Sequence, residues 1–203
     1  NGSHKKTQSL PFESRSMLHE CAITKNYMLV FDLSVVFDLY KLGRGYFPFS
    51  WDDNHQSRIG LLDRNGDSDA VQWFEIERTY FFHTFNAYED SNSNVIVTAA
   101  AYGRLFDTDW NGPFTESPPQ LTKWELNTKS GRATLTKLDD RAVEFPRINP
   151  SLVGKFNQYA YALASSNTSE PDFKEIVKYD LKNDTSEVYS YGTGKFGAEP
   201  VFV

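Results

Sequence analysis

Two histidines are the residues of this sequence best suited to chemistry. His19 and His83 each lie among apolar residues, in the segments Met17–Thr24 and Tyr80–Glu89. A histidine in such a setting is either a hydrogen-bonded core residue or a metal ligand, because neutral imidazole binds many transition metals. Residue type alone leaves both interpretations open.

The other histidines and the single cysteine predict no site of their own. His4 lies in a polar N-terminal segment, and His55 lies in a loop-like stretch where we expect a solvated side chain. Cys21 follows His19 by two positions, so the two side chains would share one face of a strand. No third group is present to orient them for nucleophilic catalysis. A single cysteine also excludes an intramolecular disulfide and a multi-cysteine zinc site.

Two glutamates lie among apolar neighbours. Glu144 belongs to Ala142–Asn149, and Glu199 belongs to Gly197–Val203. A carboxylate in such surroundings needs a partner, because burying an unpaired charge costs free energy. The N–H of a metal-bound imidazole would satisfy it, and so would an arginine or a backbone N–H.

Composition limits the class of protein that positions these side chains. The chain has 203 residues, of which 39% are hydrophobic and 24% charged, so one globular domain or a large part of one is expected. The net charge is −6 and no Lys/Arg run exceeds two residues, which argues against a nucleic-acid surface. No apolar run approaches the roughly 20 residues that cross a bilayer. A soluble protein is expected, and the single cysteine fits the cytoplasm.

Strand-sized apolar runs follow one another along most of the chain. Aromatic residues make up 15%, which favours β-structure, and most runs are bounded by Gly, Asn, Asp, Ser or Pro. No stretch keeps a period of 3.6 residues for three turns, although Val35–Leu42 could form a short helix. The sequence predicts a nearly all-β fold with strands at Tyr27–Phe31, Ile59–Leu62, Val71–Ile76, Tyr80–Phe85, Val95–Ala101, Leu121–Leu126, Ala133–Leu138, Tyr159–Ala164, Ile176–Leu181, Val188–Tyr191 and Val201–Val203.

Segments that look like copies of one hairpin recur along the chain. Leu121–Gly131 and Ile176–Ser186 each place an aromatic residue, an acid and a leucine before a polar turn, and the two leucines lie 55 positions apart. A third hairpin joins Ile59–Leu62 to Val71–Phe74. Recurrence at roughly 50 to 60 residues is typical of β-propeller blades. The simpler alternative is that polar turns between strands resemble one another in many proteins.

Seven segments match one family pattern in its order. They are His19–Tyr27, Pro48–Asp53, Arg58–Arg64, Trp73–Ile76, Phe82–Asp90, Glu144–Asn149 and Glu199–Val203. Together they resemble the carotenoid cleavage oxygenase family, which includes stilbene-cleaving oxygenases and the vertebrate retinoid isomerase. The match is specific because several segments agree in order.

The resemblance implies a seven-bladed β-propeller with one non-haem Fe(II) on its axis. Four histidines hold the metal, and glutamates lie behind three of them. By motif position His19 resembles the second ligand and His83 the third, and Glu144 and Glu199 resemble two of the glutamates. The first and fourth histidines lie outside the matched pattern. We therefore expect residues 17–203 to be the central portion of one propeller domain without its N- and C-terminal blades, and residues 1–16 to be a polar leader or connection.

The implied reaction is oxidative cleavage of a carbon–carbon double bond in a carotenoid or apocarotenoid with O₂, giving aldehyde or ketone products. The implied partners are a hydrophobic polyene, O₂ and a membrane surface, with no nucleic acid. Four neutral imidazoles would leave a coordination position open for O₂. With two of the four ligands, this chain alone should bind iron weakly and catalyse nothing. The alternatives are stilbene cleavage and a non-catalytic propeller that acts as a binding scaffold.

Overall fold

The computed structural model describes residues 3–4, 7, 9–12, 14–66, 70–110, 112–113, 116–165 and 172–203. Residues 1, 2, 5, 6, 8 and 13 of the predicted leader lie outside this part. The described elements are β1 Ala22–Ile23, β2 Tyr27–Asp32, β3 Val35–Phe37, α1 Leu39–Leu42, β4 Phe49–Trp51, β5 Arg58–Asp63, β6 Val71–Glu75, β7 Tyr80–Glu89, β8 Val95–Tyr102, β9 Gln120–Asn127, β10 Arg132–Lys137, β11 Ala142–Arg147, a 3₁₀ turn Pro150–Leu152, β12 Tyr159–Ser165, β13 Glu175–Asp180 and β14 Thr185–Ser190.

Three four-stranded antiparallel sheets make up most of the described chain. Their strand orders are β1-β2-β5-β6, β7-β8-β9-β10 and β11-β12-β13-β14, and β3 pairs with β4 beside them. The last two strands of each sheet are the hairpins that the sequence indicated. Those hairpins therefore occupy equivalent positions in three similar sheets, which confirms the predicted repeat and a nearly all-β fold.

The first strand of each sheet forms an inner edge. β7 contacts β1 of the first sheet and β11 of the third sheet. Each of these strands has a ladder partner on one side only, so backbone groups on its other side are free to bind side chains. The three edges therefore bring together residues that are far apart in sequence.

The hydrophobic core lies between neighbouring sheets. β8 is buried along its whole length, which suits its run of alanine and β-branched residues. Trp124 of β9 packs against Phe81 of β7 with ring centroids 5.5 Å apart, and both residues are buried between the first and second sheets. A second cluster, which includes Leu121 and Val177, joins the second sheet to the third. Packing between sheets fixes the positions of the inner edges.

The helix expected within Val35–Leu42 is present only in the second half of that segment. Val35–Phe37 forms β3, because β-branched and aromatic residues favour strands. Asp38 then caps the four-residue α1 by accepting hydrogen bonds from the backbone N–H groups of Tyr40 and Lys41. No helix in the described part of the chain is long and apolar enough to cross a bilayer.

Two strand assignments from the sequence were wrong. Val201–Val203 is exposed and forms no strand, since no ladder partner lies beside it in the described chain. Conversely, β11 was not among the predicted strands, because a proline and charged residues interrupt its apolar pattern. Pro146 is tolerated there because β11 is an edge strand.

Candidate metal centre

The inner edges bring the two candidate ligands together. His19 immediately precedes the first sheet and His83 lies on β7 of the second. Their ring centroids are 5.1 Å apart and the rings are nearly perpendicular, at 88°. The sequence separates these histidines by 64 positions, and the contact of β1 with β7 brings them side by side.

The dipeptide His19–Glu20 binds the two backbone groups that flank His83. His19 Nδ1 donates to the carbonyl oxygen of Phe82 at 3.0 Å, and the backbone N–H of Thr84 donates to Glu20 Oε2 at 2.5 Å. β7 is an edge strand, so these groups lie outside its ladder with β8. Two side chains thus take the place of a neighbouring strand and fix His19 against β7.

A buried carboxylate from the third sheet holds His83. Nδ1 of His83 donates to Glu144 Oε2 at 2.7 Å, and that oxygen also accepts from the backbone N–H of Phe145 at 2.7 Å. The hydroxyl of Tyr102 donates to Glu144 Oε1 at 3.0 Å. The side chain of Glu144 is only 3% exposed. Hydrogen bonds to both oxygens make this burial tolerable.

Register shifts lie beside both members of the His83–Glu144 pair. The pairing of β7 with β8 shifts between Phe81 and Thr84, around His83. The pairing of β11 with β12 shifts immediately after Glu144, where Phe145 has a φ of 54°. Such irregularities turn side chains away from the normal alternation and are common next to functional sites. They aim His83 and Glu144 at each other across the gap between sheets.

The electrostatic environment favours a hydrogen-bonded His83. Burial alone lowers the pKa of His83, but the hydrogen bond and charge of Glu144, with the charges of Glu20 and Glu199, raise this pKa overall. Burial raises the pKa of Glu20 against the opposing effects of the Thr84 N–H and both imidazoles. Burial, together with Glu144, also raises the pKa of Tyr102, so its hydroxyl is a neutral donor at physiological pH.

The hydrogen bonds define the tautomer that each neutral imidazole adopts. A backbone carbonyl can only accept, so Nδ1 of His19 carries hydrogen, and the carboxylate of Glu144 favours the same state in His83. In the described chain neither Nε2 has a hydrogen-bond partner, so its lone pair is available to a metal. This arrangement fits two imidazole ligands of a metal centre. No cluster of three or more His, Cys, Asp or Glu side chains that could hold a metal occurs among the described residues.

Glu199 lies near this centre but has a different partner. Its carboxylate accepts a hydrogen bond from the guanidinium of Arg147 and is about half exposed. In the described chain it contacts no histidine, although its charge reaches His83. An arginine was one of the partners that the sequence left open for this residue.

His55 is not solvated as expected. Its Nε2 lies 2.9 Å from Oδ1 of the fully buried Asp32, and Nε of Arg58 donates to Oδ2 at 2.9 Å. Ser16 also donates to Asp32, which ties the end of the predicted leader to the first sheet. Cys21 is exposed and forms no hydrogen bond with His19 in the described chain.

Sequence reasoning missed three residues of this centre. Glu20 adjoins His19, and its acidic type next to a candidate ligand was a usable signal. Phe82 contributes a backbone carbonyl, which no sequence pattern marks. Tyr102 lies on β8, and only the fold places its hydroxyl at Glu144.

The family model described as Retinal pigment epithelial membrane protein matches residues 1–203. A carotenoid cleavage oxygenase of Mycobacterium tuberculosis is 29% identical over all of this chain and 50% of its own length. A carotenoid 9,10(9′,10′)-cleavage dioxygenase of Crocus sativus is 31% identical over 92% of this chain and 37% of its own length. The chain thus spans half or less of the curated relatives it matches.

The fold comparison agrees. The crystal structure of cobalt-substituted Synechocystis apocarotenoid oxygenase matches with a TM-score of 0.81 and 23% identity, over 93% of this chain and 41% of that chain. That protein is a β-propeller, so the three sheets described above correspond to part of one. Since the family model covers the whole chain, this chain belongs to the Retinal pigment epithelial membrane protein family, which is that of the carotenoid cleavage oxygenases.

Proposed function

We propose that the complete protein is a non-haem Fe(II) dioxygenase that cleaves a carbon–carbon double bond of a carotenoid or apocarotenoid. The observation that carries the proposal is the pair His19 and His83, adjacent and hydrogen-bonded through Nδ1. Relatives named carotenoid cleavage oxygenases and a cobalt-substituted apocarotenoid oxygenase support both the reaction class and a metal in this fold.

Each residue has a distinct role in this proposal. His19 and His83 bind the metal through Nε2, and a bound Fe(II) would supply the activation of O₂. Glu144 keeps the Nδ1 proton of His83 in place and strengthens that imidazole as a ligand. The carbonyl of Phe82 orients His19, and Glu20 holds the strands that carry both rings at a fixed separation.

Aromatic rings give the proposed centre an apolar side. Phe82 lies against His19 with ring centroids 5.2 Å apart, and Phe145 lies 5.5 Å from His83. Such rings exclude water from the ligands and present a surface suited to a hydrophobic polyene. Glu199 is proposed to support a further ligand imidazole of the complete protein.

We also propose that the complete protein contacts a membrane surface through an exposed patch on the first sheet. This patch, Leu39–Phe47, includes the exposed side chains of Leu39, Tyr40, Leu42, Tyr46 and Phe47. Lys41 anchors it from below, because its buried ammonium donates to the carbonyl oxygens of Phe49 and Phe106. Apolar and aromatic side chains of this kind partition into the lipid interface. Replacement of Leu39 and Phe47 by serine should reduce sedimentation with phosphatidylcholine vesicles, and unchanged sedimentation would contradict this proposal.

Metal binding by histidine variants tests the proposed function. Titration of the 203-residue chain with Co²⁺ should show weak binding that His19→Ala and His83→Ala each abolish. His4→Ala is the matched control, since it removes an exposed histidine that bonds only to Thr7 in the described chain. Binding that survives both site substitutions would contradict the ligand assignment.

Activity of the complete protein separates the reaction classes. Cleavage of carotenoids or apocarotenoids that is lost in the His83→Ala variant is the expected result. Cleavage of stilbenes alone would indicate the stilbene-cleaving branch, and metal-independent binding of polyenes without turnover would indicate a scaffold.

A further inference from the structure

Tyr102 is a buried phenol on the strand beside the proposed ligand. It ends β8, next to β7, and is 1% exposed. Its hydroxyl donates to Glu144 Oε1, while the other carboxylate oxygen of Glu144 receives the N–H of His83. The three side chains therefore form one hydrogen-bonded series that runs from β8 through β11 to β7.

The hydroxyl of Tyr102 fixes the rotation of the Glu144 carboxylate. Oε2 is held by His83 and by the backbone N–H of Phe145, so Oε1 is the oxygen whose position depends on Tyr102. Without that donor, Oε1 would be buried with its hydrogen bond unmade, which favours a rotated or rehydrated carboxylate. Either change would lengthen or misalign the bond to Nδ1 of His83.

We propose that Tyr102 is a positioning residue, which acts through Glu144 to hold the His83 imidazole in the orientation and tautomer that a metal requires. The inference rests on the proposed metal-binding role of His83. It extends that role to a third side chain, on a different strand from either ligand.

Tyr80 provides a matched control in the same environment. Like Tyr102 it is buried, and both rings pack against Phe82, with centroid distances of 5.0 and 5.7 Å. The hydroxyl of Tyr80, however, donates to the backbone carbonyl of Met17 instead of to Glu144. Tyr80→Phe and Tyr102→Phe therefore remove the same atom from similar sites, and only one of them touches the carboxylate.

The test measures imidazole nitrogen and proton shifts by NMR in histidine-labelled chain, first without metal and then during Co²⁺ titration. In Tyr102→Phe we expect the Nδ1–H signal of His83 to move, the His19 signals to stay, and the Co²⁺ dissociation constant to rise about three- to tenfold. In Tyr80→Phe all three should match the unsubstituted chain. Unmoved His83 signals in Tyr102→Phe, or equal changes in both variants, would overturn the inference.

A double substitution and the metal-free arm keep the result interpretable. In a Glu144→Gln background, Tyr102→Phe should add no further change at His83, whereas an undiminished change would show that Tyr102 acts by another route. If the metal-free signals respond as expected but the unsubstituted chain binds no Co²⁺, the positioning role stands and the proposed metal function fails.

Discussion

The two proposed ligands are held in chemically different ways. His83 is partly buried and donates to the carboxylate of Glu144, which comes from the third sheet. His19 is exposed and donates to the backbone carbonyl of Phe82, in the strand that carries His83. One imidazole thus depends on a charged side chain, and the other depends on a peptide group and on the fit between two sheets.

This difference predicts different sensitivities to substitution. A carboxylate makes a stronger, charge-assisted hydrogen bond and raises the basicity of its imidazole, but a single substitution removes it. No side-chain substitution deletes a peptide carbonyl. The His83 side of the centre should therefore respond to changes of residue type, and the His19 side should respond to changes in how the sheets meet.

Removal of the Glu144 carboxylate should have the largest effect. Glu144→Ala leaves the hydroxyl of Tyr102 and Nδ1 of His83 without their acceptor, so we expect about a 10- to 100-fold loss of Co²⁺ affinity. The free energy of unfolding should fall by about 2 to 4 kcal/mol. Calorimetric titration and urea denaturation measure the two effects. Glu144→Gln keeps an acceptor oxygen and should lie between, and equal affinity in all three proteins would contradict the role of Glu144.

Glu20 tests the link between the two ligands. Glu20→Ala leaves the N–H of Thr84 without an acceptor, so we expect a loss of about 1 to 3 kcal/mol in stability and a roughly three- to tenfold loss of Co²⁺ affinity. Glu20→Gln should recover most of both, because its amide oxygen can accept the same bond. Glu75→Ala, at an exposed position of β6, is the control. An affinity loss with the glutamine variant as large as with alanine would show that charge matters more than the link.

Phe82→Leu should have a smaller effect on metal binding. The substitution keeps the backbone carbonyl that accepts from His19 and removes only the ring beside it. We expect Co²⁺ affinity to stay within about threefold, the His19 tautomer to stay unchanged, and stability to fall by less than about 1.5 kcal/mol. NMR of the His19 nitrogens checks the tautomer. A change of tautomer would show that the ring, and not the carbonyl, orients His19.

The smallest effect on the metal is expected from Asp139, which precedes β11. Burial raises the pKa of Asp139, but hydrogen bonds from Tyr179 and Arg141 outweigh burial and lower it overall. A lowered pKa in the folded state contributes stability above the unfolded value near 3.9, and this contribution is lost as pH falls through the folded value. Asp139→Asn should therefore destabilise the chain by about 1 to 2 kcal/mol at neutral pH.

That difference from the unsubstituted chain should vanish in acid, below roughly pH 4. Urea denaturation at several pH values measures it, while Co²⁺ affinity at pH 7 should not change. A pH-independent difference would rule out the ionised Asp139 as its source. A loss of Co²⁺ affinity would show that the His83 side depends on the wider third sheet as well as on Glu144.

Most strands could be predicted from the sequence because their signals are local. Alternating apolar residues between turn-forming residues mark the hairpins, and the chain realises them with shifts of a few residues. The exceptions are places where tertiary contacts decide. β11 is held as a strand by its pairing with β12 although Pro146 interrupts its pattern, and Val201–Val203 has no strand to pair with in the described chain.

The candidate centre was predictable only in part. The family pattern indicated His19, His83 and Glu144, and the fold brings these together. The same pattern placed Glu199 behind an imidazole, whereas Arg147 is its partner here. Tyr102 carries no local signal at all, because its role depends on which strands become neighbours.

The bonds of His19–Glu20 to β7 have a consequence for self-association. A free strand edge exposes unpaired N–H and C=O groups, to which a strand of another molecule can add. Here the side chains of the dipeptide occupy the carbonyl of Phe82 and the N–H of Thr84, so that part of the edge of β7 is blocked. A protein that lost these two bonds would expose a template for intermolecular β-pairing. The contacts that orient a ligand thus also protect the fold from aggregation.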